Sequence, residues 1–213
     1  GWGEIYADSW SGDTDIIGFD SDALAYFTSY SITDATEKGA VNTLVNGLKD
    51  NSLWAKGISL HTISPTSLAA SQGNLINPGT FDLTWNNSPT HGAGGVLLNG
   101  STQFAQMGII PSTHLTINDV TIWARIVTAS TTIVVLMGAN QSTSQRLQII
   151  PRSGDTFLFD CYGTADGRIS AANTSTTARY LATRRASNDF ESYKDGVSQV
   201  SATGSNGSQP SIE

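Results

Sequence analysis

The sequence predicts a mainly β protein: an antiparallel β-sandwich over residues 80–213, preceded by a small helical hairpin over residues 20–56. Three observations predict it. From Phe81 onward, apolar residues recur with a period of two in short runs broken by Gly, Ser, Asn and Asp, as in many short antiparallel strands. Between Asp20 and Asn51 the period is helical instead. Finally, 21 glycines, a charged fraction of only 14% and a hydrophobic fraction of 38% describe a β- and loop-rich chain. A disordered chain would carry more charge.

Residues 1–19 form an aromatic arm, with Trp2, Tyr6, Trp10 and Phe19 set among Gly, Ser and Asp. Exposed aromatic area is a liability, so these side chains are expected to be covered. Two readings stand: an arm that docks on a partner chain through Trp2, Tyr6 and Trp10, and an arm that folds back on its own domain. Asp8, Asp13 and Asp15 around Gly12 lack the alternating ligand spacing and closing Glu of a calcium loop, and read as solvated.

In the helical hairpin, Asp20 or Ser21 caps a helix through Tyr30, with Leu24 and Phe27 inward. Asp34 and Glu37 form a capping box, in which each side chain bonds the other residue's backbone N–H. Val41, Leu44, Val45 and Leu48 then place one apolar stripe on a helix ending near Asn51, and Leu53 and Trp54 clamp the pair onto the next segment of the chain. Residues 57–79 read as a linker.

Within the β region, Phe81, Leu83 and Trp85 alternate with Asp82 and Thr84; Asn99-Gly100 marks a turn; and Val120, Ile122, Ala124 and Ile126 alternate with Thr121, Trp123 and Arg125. Ile133–Met137 is continuously apolar and is expected to be buried on both faces. Cys161, the single cysteine, lies in the alternating run Phe157–Tyr162 and is expected to be a small core residue. Tyr180, Ala182 and Arg184 oppose Leu181, Thr183 and Arg185. Asp195-Gly196 then closes a two-residue hairpin of type I′, because both positions need positive φ. After Gly204 the chain reads as a loop leading into another strand start, so the sandwich is expected to be closed by strands further along or by a neighbouring chain.

Four stretches stand out: the Arg-rich strand with Ser-Asn-Asp-Phe-x-x-Tyr-Lys-Asp-Gly at 187–196, the helical module at 20–56, Asn-Leu-x-x-Pro-x-x-Phe-Asp-Leu-Thr-Trp at 74–85, and Thr-His-x-x-x-Gly-Val-Leu-Leu-Asn-Gly-Ser-Thr-Gln-Phe-Ala at 90–105. Together they resemble structural proteins of tailed bacteriophages and concanavalin A-like (laminin-G-like) lectin and glucanase sandwiches. The resemblance spans roughly residues 20–200 and implies a jelly-roll sandwich in a virion assembled in the host cytoplasm. It further implies a homo-oligomeric, structural or adhesive role in a fibre, capsid decoration or tail appendage, among other virion proteins and facing a host glycan or a neighbouring subunit. A phage-borne polysaccharide-degrading enzyme and a non-viral soluble lectin are the alternatives.

Chemistry is sparse. His61, His91 and His114 show no metal-ligand spacing, and no nucleophile elbow, phosphate loop or dinucleotide fingerprint occurs. No cofactor is expected; sandwiches of this kind often bind calcium or sugar at loop ends, but no ligand set carries over to these residues. A glycosidase needs two carboxylates flanking the sugar, and only Asp189 and Glu191 have that spacing on one strand face, so no enzyme is expected. Sugar sites want an aromatic platform beside Arg, amide or carboxylate groups. Trp123 with Arg125, and Tyr180 with Arg184, supply candidates, although a cation over a ring equally stabilises a sheet. The formal charge of −7 without a basic run speaks against a nucleic-acid surface. No run approaches the roughly 18 apolar residues of a membrane span, and the first residues do not read as a signal peptide.

Overall fold

The computed structural model describes residues 18–128, 135–162, 167–175, 177–203 and 207–213. In chain order its elements are helices α1 (Ser21–Tyr30) and α2 (Ala35–Asp50), then the short strands β1 (Thr84–Asn86), β2 (Thr90–Gly92), β3 (Gly95–Leu97) and β4 (Phe104–Gln106). A single helical turn, α3 (Pro111–His114), comes next. The longer strands are β5 (Val120–Ile126), β6 (Met137–Ser142), β7 (Gln145–Ser153), β8 (Thr156–Cys161), β9 (Arg168–Ala172), β10 (Ala178–Ala186), β11 (Asp189–Lys194) and β12 (Val197–Ala202). The fold is mainly β, with two four-stranded antiparallel sheets and few helices. The described residues divide into two compact units, 18–84 with 90–97, and 85–89 with those from 98 onward.

In the first unit, Asp20 caps α1 by accepting from the Asp22 N–H, and Asp34 caps α2 by accepting from the Glu37 N–H at 2.8 Å. The capping box is nevertheless one-sided. Glu37 is buried, and its carboxylate accepts from the Thr66 hydroxyl at 2.9 Å. Ala23, Tyr26 and Phe27 from α1 and Val41 and Val45 from α2 form the core, with Leu24, Leu48 and Trp54 packed against it. Leu44 and Leu53 lie at the surface instead.

The stretch read as a linker supplies Leu60, Ala70 and Leu75 to that same core. It has almost no regular structure, so its backbone groups need side-chain partners. Asn74, fully buried, provides them: its Oδ1 accepts from the N–H groups of Leu60 and Ile76, and its Nδ2 donates to the carbonyls of Ile58 and Thr80. The strand expected at Phe81–Trp85 is displaced by this arrangement. Phe81 has φ 59°, and the Asp82 carboxylate accepts from the Asn74 N–H and from the Tyr30 hydroxyl at 2.6 Å. Strand β1 therefore begins only at Thr84.

In the second unit, one sheet runs β6-β7-β8-β9 as an uninterrupted meander, and the other runs β12-β11-β10-β5. The inward faces of the two sheets share one core: Leu147, Ile149, Phe157, Phe159, Cys161 and Ile169 from the first, and Val120, Ala178, Tyr180 and Ala182 from the second. The rings of Phe157 and Tyr180 meet across it at 4.9 Å. This is the two-layer logic by which sheets hide their apolar faces. The Asp195-Gly196 turn has φ 50° and 82°, as the hairpin requires. Asn99-Gly100 also turns, with Asn99 Oδ1 accepting from three backbone N–H groups, but it does not join a hairpin: β3 pairs with β2, and β4 with β1.

Residues 133 and 134 of the apolar run lie outside the described residues, and Val135 is exposed rather than buried. The C-terminal residues form no strand among those described. Pro210 is buried, with its carbonyl accepting from the Ser112 N–H, and Gln209 donates to the carbonyls of Pro111 and Leu115.

Cys161 is fully buried, and burial pushes its thiol up to about 11. The folded protein is therefore expected to leave the thiol unmodified by a thiol reagent at pH 8, with stoichiometric reaction appearing only in denaturant. A colorimetric thiol assay in both conditions checks this.

One charged cluster in the β6–β9 sheet is centred on a buried carboxylate. The Asp160 carboxylate is fully buried and accepts two hydrogen bonds from Arg168 and one from the Gln148 amide, with Arg146 at 3.9 Å. Asp160→Asn removes the counter-charge of both arginines while keeping shape. Because the Arg168 side chain stays 33% exposed, water offsets part of the loss, and the unfolding free energy is expected to fall by about 2–3 kcal/mol, below the usual range for breaking a buried pair. Urea denaturation measures it.

Candidate functional site

The candidate surface is the outward face of the β12-β11-β10-β5 sheet. Register places Trp123 opposite Leu181, Leu181 opposite Tyr193, and Tyr193 opposite Ser198, giving one row across four strands. Trp123 is 47% exposed, although its ring is the largest apolar side chain on that row. Two residues further along β5, on the same face, Arg125 is exposed and sits directly opposite Arg179, also exposed.

At the other end of this face lies an open concavity of about 600 Å³ lined by Arg185, Asn188, Asp189, Glu191, Ser201 and Thr203. Arg185 holds it together, donating to both oxygens of Asp189 at 2.8 and 2.9 Å and to Glu191 at 2.9 Å. Glu191 also accepts from the Ser198 hydroxyl at 2.6 Å. Arg185 keeps the Asp189 carboxyl below its ordinary value; Ser198 first, then Tyr193 and Arg185, do the same for Glu191. The one acid pair with suitable spacing is thus a pair of ionised carboxylates, not a carboxylate beside a proton donor.

The sequence-predicted site residues separate. Trp123 and Arg125 share the outward face. Tyr180 and Arg184 occupy alternate positions of β10, point inward and are fully buried, so neither can touch a surface ligand. The Tyr180 hydroxyl accepts from the Asn173 amide at 2.7 Å, and its ring packs beside Phe157. The Arg184 guanidinium lies over the rings of Tyr162 and Phe190 at 5.4 and 4.9 Å and donates to Asn118 Oδ1. The rings under Arg184 are thus those of Tyr162 and Phe190, not that of Tyr180, with which the sequence paired it. Trp2, Tyr6 and Trp10, with the Asp8–Asp15 loop, lie outside the described residues.

The histidines are engaged locally. His61 bonds the Ser59 hydroxyl and the Gly73 carbonyl, and burial lowers its pKa; His91 donates to the Ser64 carbonyl at 2.7 Å; His114 Nδ1 accepts from the Ile110 N–H. Among the described residues no group of three His, Cys, Asp or Glu could hold a metal ion, and no helix is long and apolar enough to cross a membrane.

Sequence reasoning missed Arg179 as the partner of Arg125, because only strand register brings the two together. Asn188, Ser201 and Thr203 were missed for the same reason: small polar residues in a hairpin carry no signal until the sheet aligns them. In comparisons with protein-family models, with curated proteins and with solved structures, nothing matches this chain.

Proposed function

We propose that this chain is a structural and adhesive protein of a bacteriophage virion, whose β unit meets a host-surface glycan through the outward face of the β12-β11-β10-β5 sheet. The observation that carries the adhesive reading is the half-exposed Trp123 in a row with Tyr193 and beside Arg125. An aromatic face stacks on the apolar face of a sugar ring, while neighbouring polar groups bond its hydroxyls. The virion setting rests on the sequence patterns at 20–56, 74–105 and 187–196. In this reading the two sheets with their shared core are a concanavalin A-like sandwich, and residues 1–19 anchor the chain to the particle by burying Trp2 and Trp10. Many symmetric copies turn weak single contacts into avidity.

A polysaccharide-degrading role is less well supported. It asks for a carboxylic acid that keeps its proton near neutrality, and the hydrogen bonds to Asp189 and Glu191 act the other way.

Immunogold electron microscopy of gradient-purified particles, with antibody against this chain, tests the reading. Label at regular positions on head or tail is expected. Protein found only free in the lysate would overturn the virion assignment. Deleting residues 1–19 is expected to abolish incorporation; normal incorporation of the truncated chain would remove the anchoring role of the arm.

A further inference from the structure

Arg125 and Arg179 are directly opposite each other in an antiparallel pair, with both side chains exposed on one face. Directly opposed residues have Cβ atoms only about 4.5–5.5 Å apart, and like charges so placed destabilise a sheet. Among the described residues neither guanidinium forms an ion pair, and the Asp195 carboxylate accepts from the Arg179 backbone N–H at 2.9 Å rather than pairing with its guanidinium. The other exposed arginine of this face, Arg185, shows the contrasting case: two carboxylates neutralise it. One end of the sheet face therefore carries two guanidiniums that form no ion pair with any described residue, on a chain whose formal net charge is −7.

Sheet sequences can avoid such a pairing at no cost to the core, since both side chains point outward. The arrangement has a chemical use. Guanidinium forks bind carboxylate and sulfate groups bidentately, and Trp123, two residues from Arg125 on the same face, offers a ring for the sugar to which such a group is attached.

We propose that Arg125 and Arg179, with Trp123 beside them, form a recognition site for an acidic saccharide, the two guanidiniums closing on its carboxylate or sulfate. This rests on the adhesive reading above and names the class of glycan. The negative net charge of the chain matters here. It does not draw polyanions in by long-range attraction, so discrimination between acidic and neutral sugars reports on this local pair.

The test is calorimetry of the full chain with oligogalacturonate as the carboxylate probe, a heparin oligosaccharide as the sulfate probe, a neutral dextran oligomer, and a single-stranded oligonucleotide of matched charge. Binding to one or both acidic saccharides, at least about tenfold tighter than to dextran or the oligonucleotide, is expected, with the preferred probe separating carboxylate from sulfate. Arg179→Gln is expected to weaken that binding about tenfold or more, as loss of a charged hydrogen bond does. The same change should leave the thermal midpoint unchanged or raise it, because it removes a like-charge pair. A merely structural Arg179 would give the opposite pattern, a lower midpoint with unaltered binding, and would overturn the proposal. Dextran bound as tightly as the acidic probes and lost in Trp123→Ala would overturn the acidic class while leaving adhesion standing. Equal binding of the oligonucleotide, or no saccharide binding at all, would also overturn the site; the location of the chain on the particle would still be decided by the immunogold experiment.

Discussion

Arg184→Ala is expected to lower the unfolding free energy of the β unit by about 3–5 kcal/mol, the scale of a large truncation in a packed core. Arg184 is fully buried, and its side chain fills space between Tyr162 and Phe190 on the inward face of β10. Truncation removes two ring contacts and leaves a cavity. It also strips the Asn118 Oδ1 of both Arg184 donors, at 2.9 and 3.1 Å, and removes the 3.4 Å bond to the Ser187 carbonyl. The Ser187 bond holds the short connection between β10 and β11, where a register shift already interrupts the ladder. Loss is therefore expected to spread to the β11–β12 hairpin and with it to the polar concavity around Arg185.

Arg184→Met separates packing from hydrogen bonding. Methionine follows much of the arginine stem and keeps contact with the rings, so it should recover roughly half of the loss in urea denaturation. A methionine variant as unstable as the alanine variant would mean that the bonds to Asn118 and Ser187, rather than space-filling, account for the cost. Either variant measured as stable as the parent would contradict the burial of this side chain.

Why β10 hides its inward face from sequence reading is visible in its residues. Arg179, Leu181, Thr183 and Arg185 alternate with Tyr180, Ala182 and Arg184. Each set holds an arginine and an apolar residue, so hydropathy does not say which faces the core. The neighbours decide: Val120, Ile122 and Ala124 of β5 lie opposite Arg184, Ala182 and Tyr180. The same ambiguity affects Asp160, which a period-two reading gives to solvent, opposite Phe159 and Cys161. It does face away from that core, yet Arg168, Arg146 and Gln148 gather around it and bury it. Burial by polar neighbours across strands cannot be read within one strand.

Local chemistry, by contrast, was legible. Asp34 caps α2 where the capping rule places it, Asp20 caps α1 as one of the two residues offered for it, α2 ends at Asn51 where its apolar stripe stops, and Asp195-Gly196 turns where two positive φ values are needed. These signals lie within a few residues of one another, so no long-range contact has to be known. The pairing of Arg125 with Arg179 spans 54 positions of chain and depends wholly on register. The half of the candidate site carried by Trp123 and Arg125 was therefore available from sequence, and the half carried by Arg179 was not.

Asn74→Ala probes the first unit, and a loss of about 3–4 kcal/mol is expected, near 1 kcal/mol for each hydrogen bond removed. Its amide serves four backbone groups, those of Ile58, Leu60, Ile76 and Thr80, in a segment that has no ladder of its own. Without it, Leu60 and Leu75 lose the framework that holds them against α1 and α2. Asn74→Asp should recover little, since its carboxylate cannot donate to the carbonyls of Ile58 and Thr80 and would be buried as a charge. Hydrogen exchange gives the decisive readout because it resolves where protection is lost. Amides of Tyr26, Val41 and Val45 should exchange faster in the variant, whereas those of β7, β8 and β10, in the other compact unit, should keep their protection. Equal acceleration in both units would mean that they unfold as one cooperative body; unchanged exchange in the helices would mean that residues 57–83 contribute little to holding them.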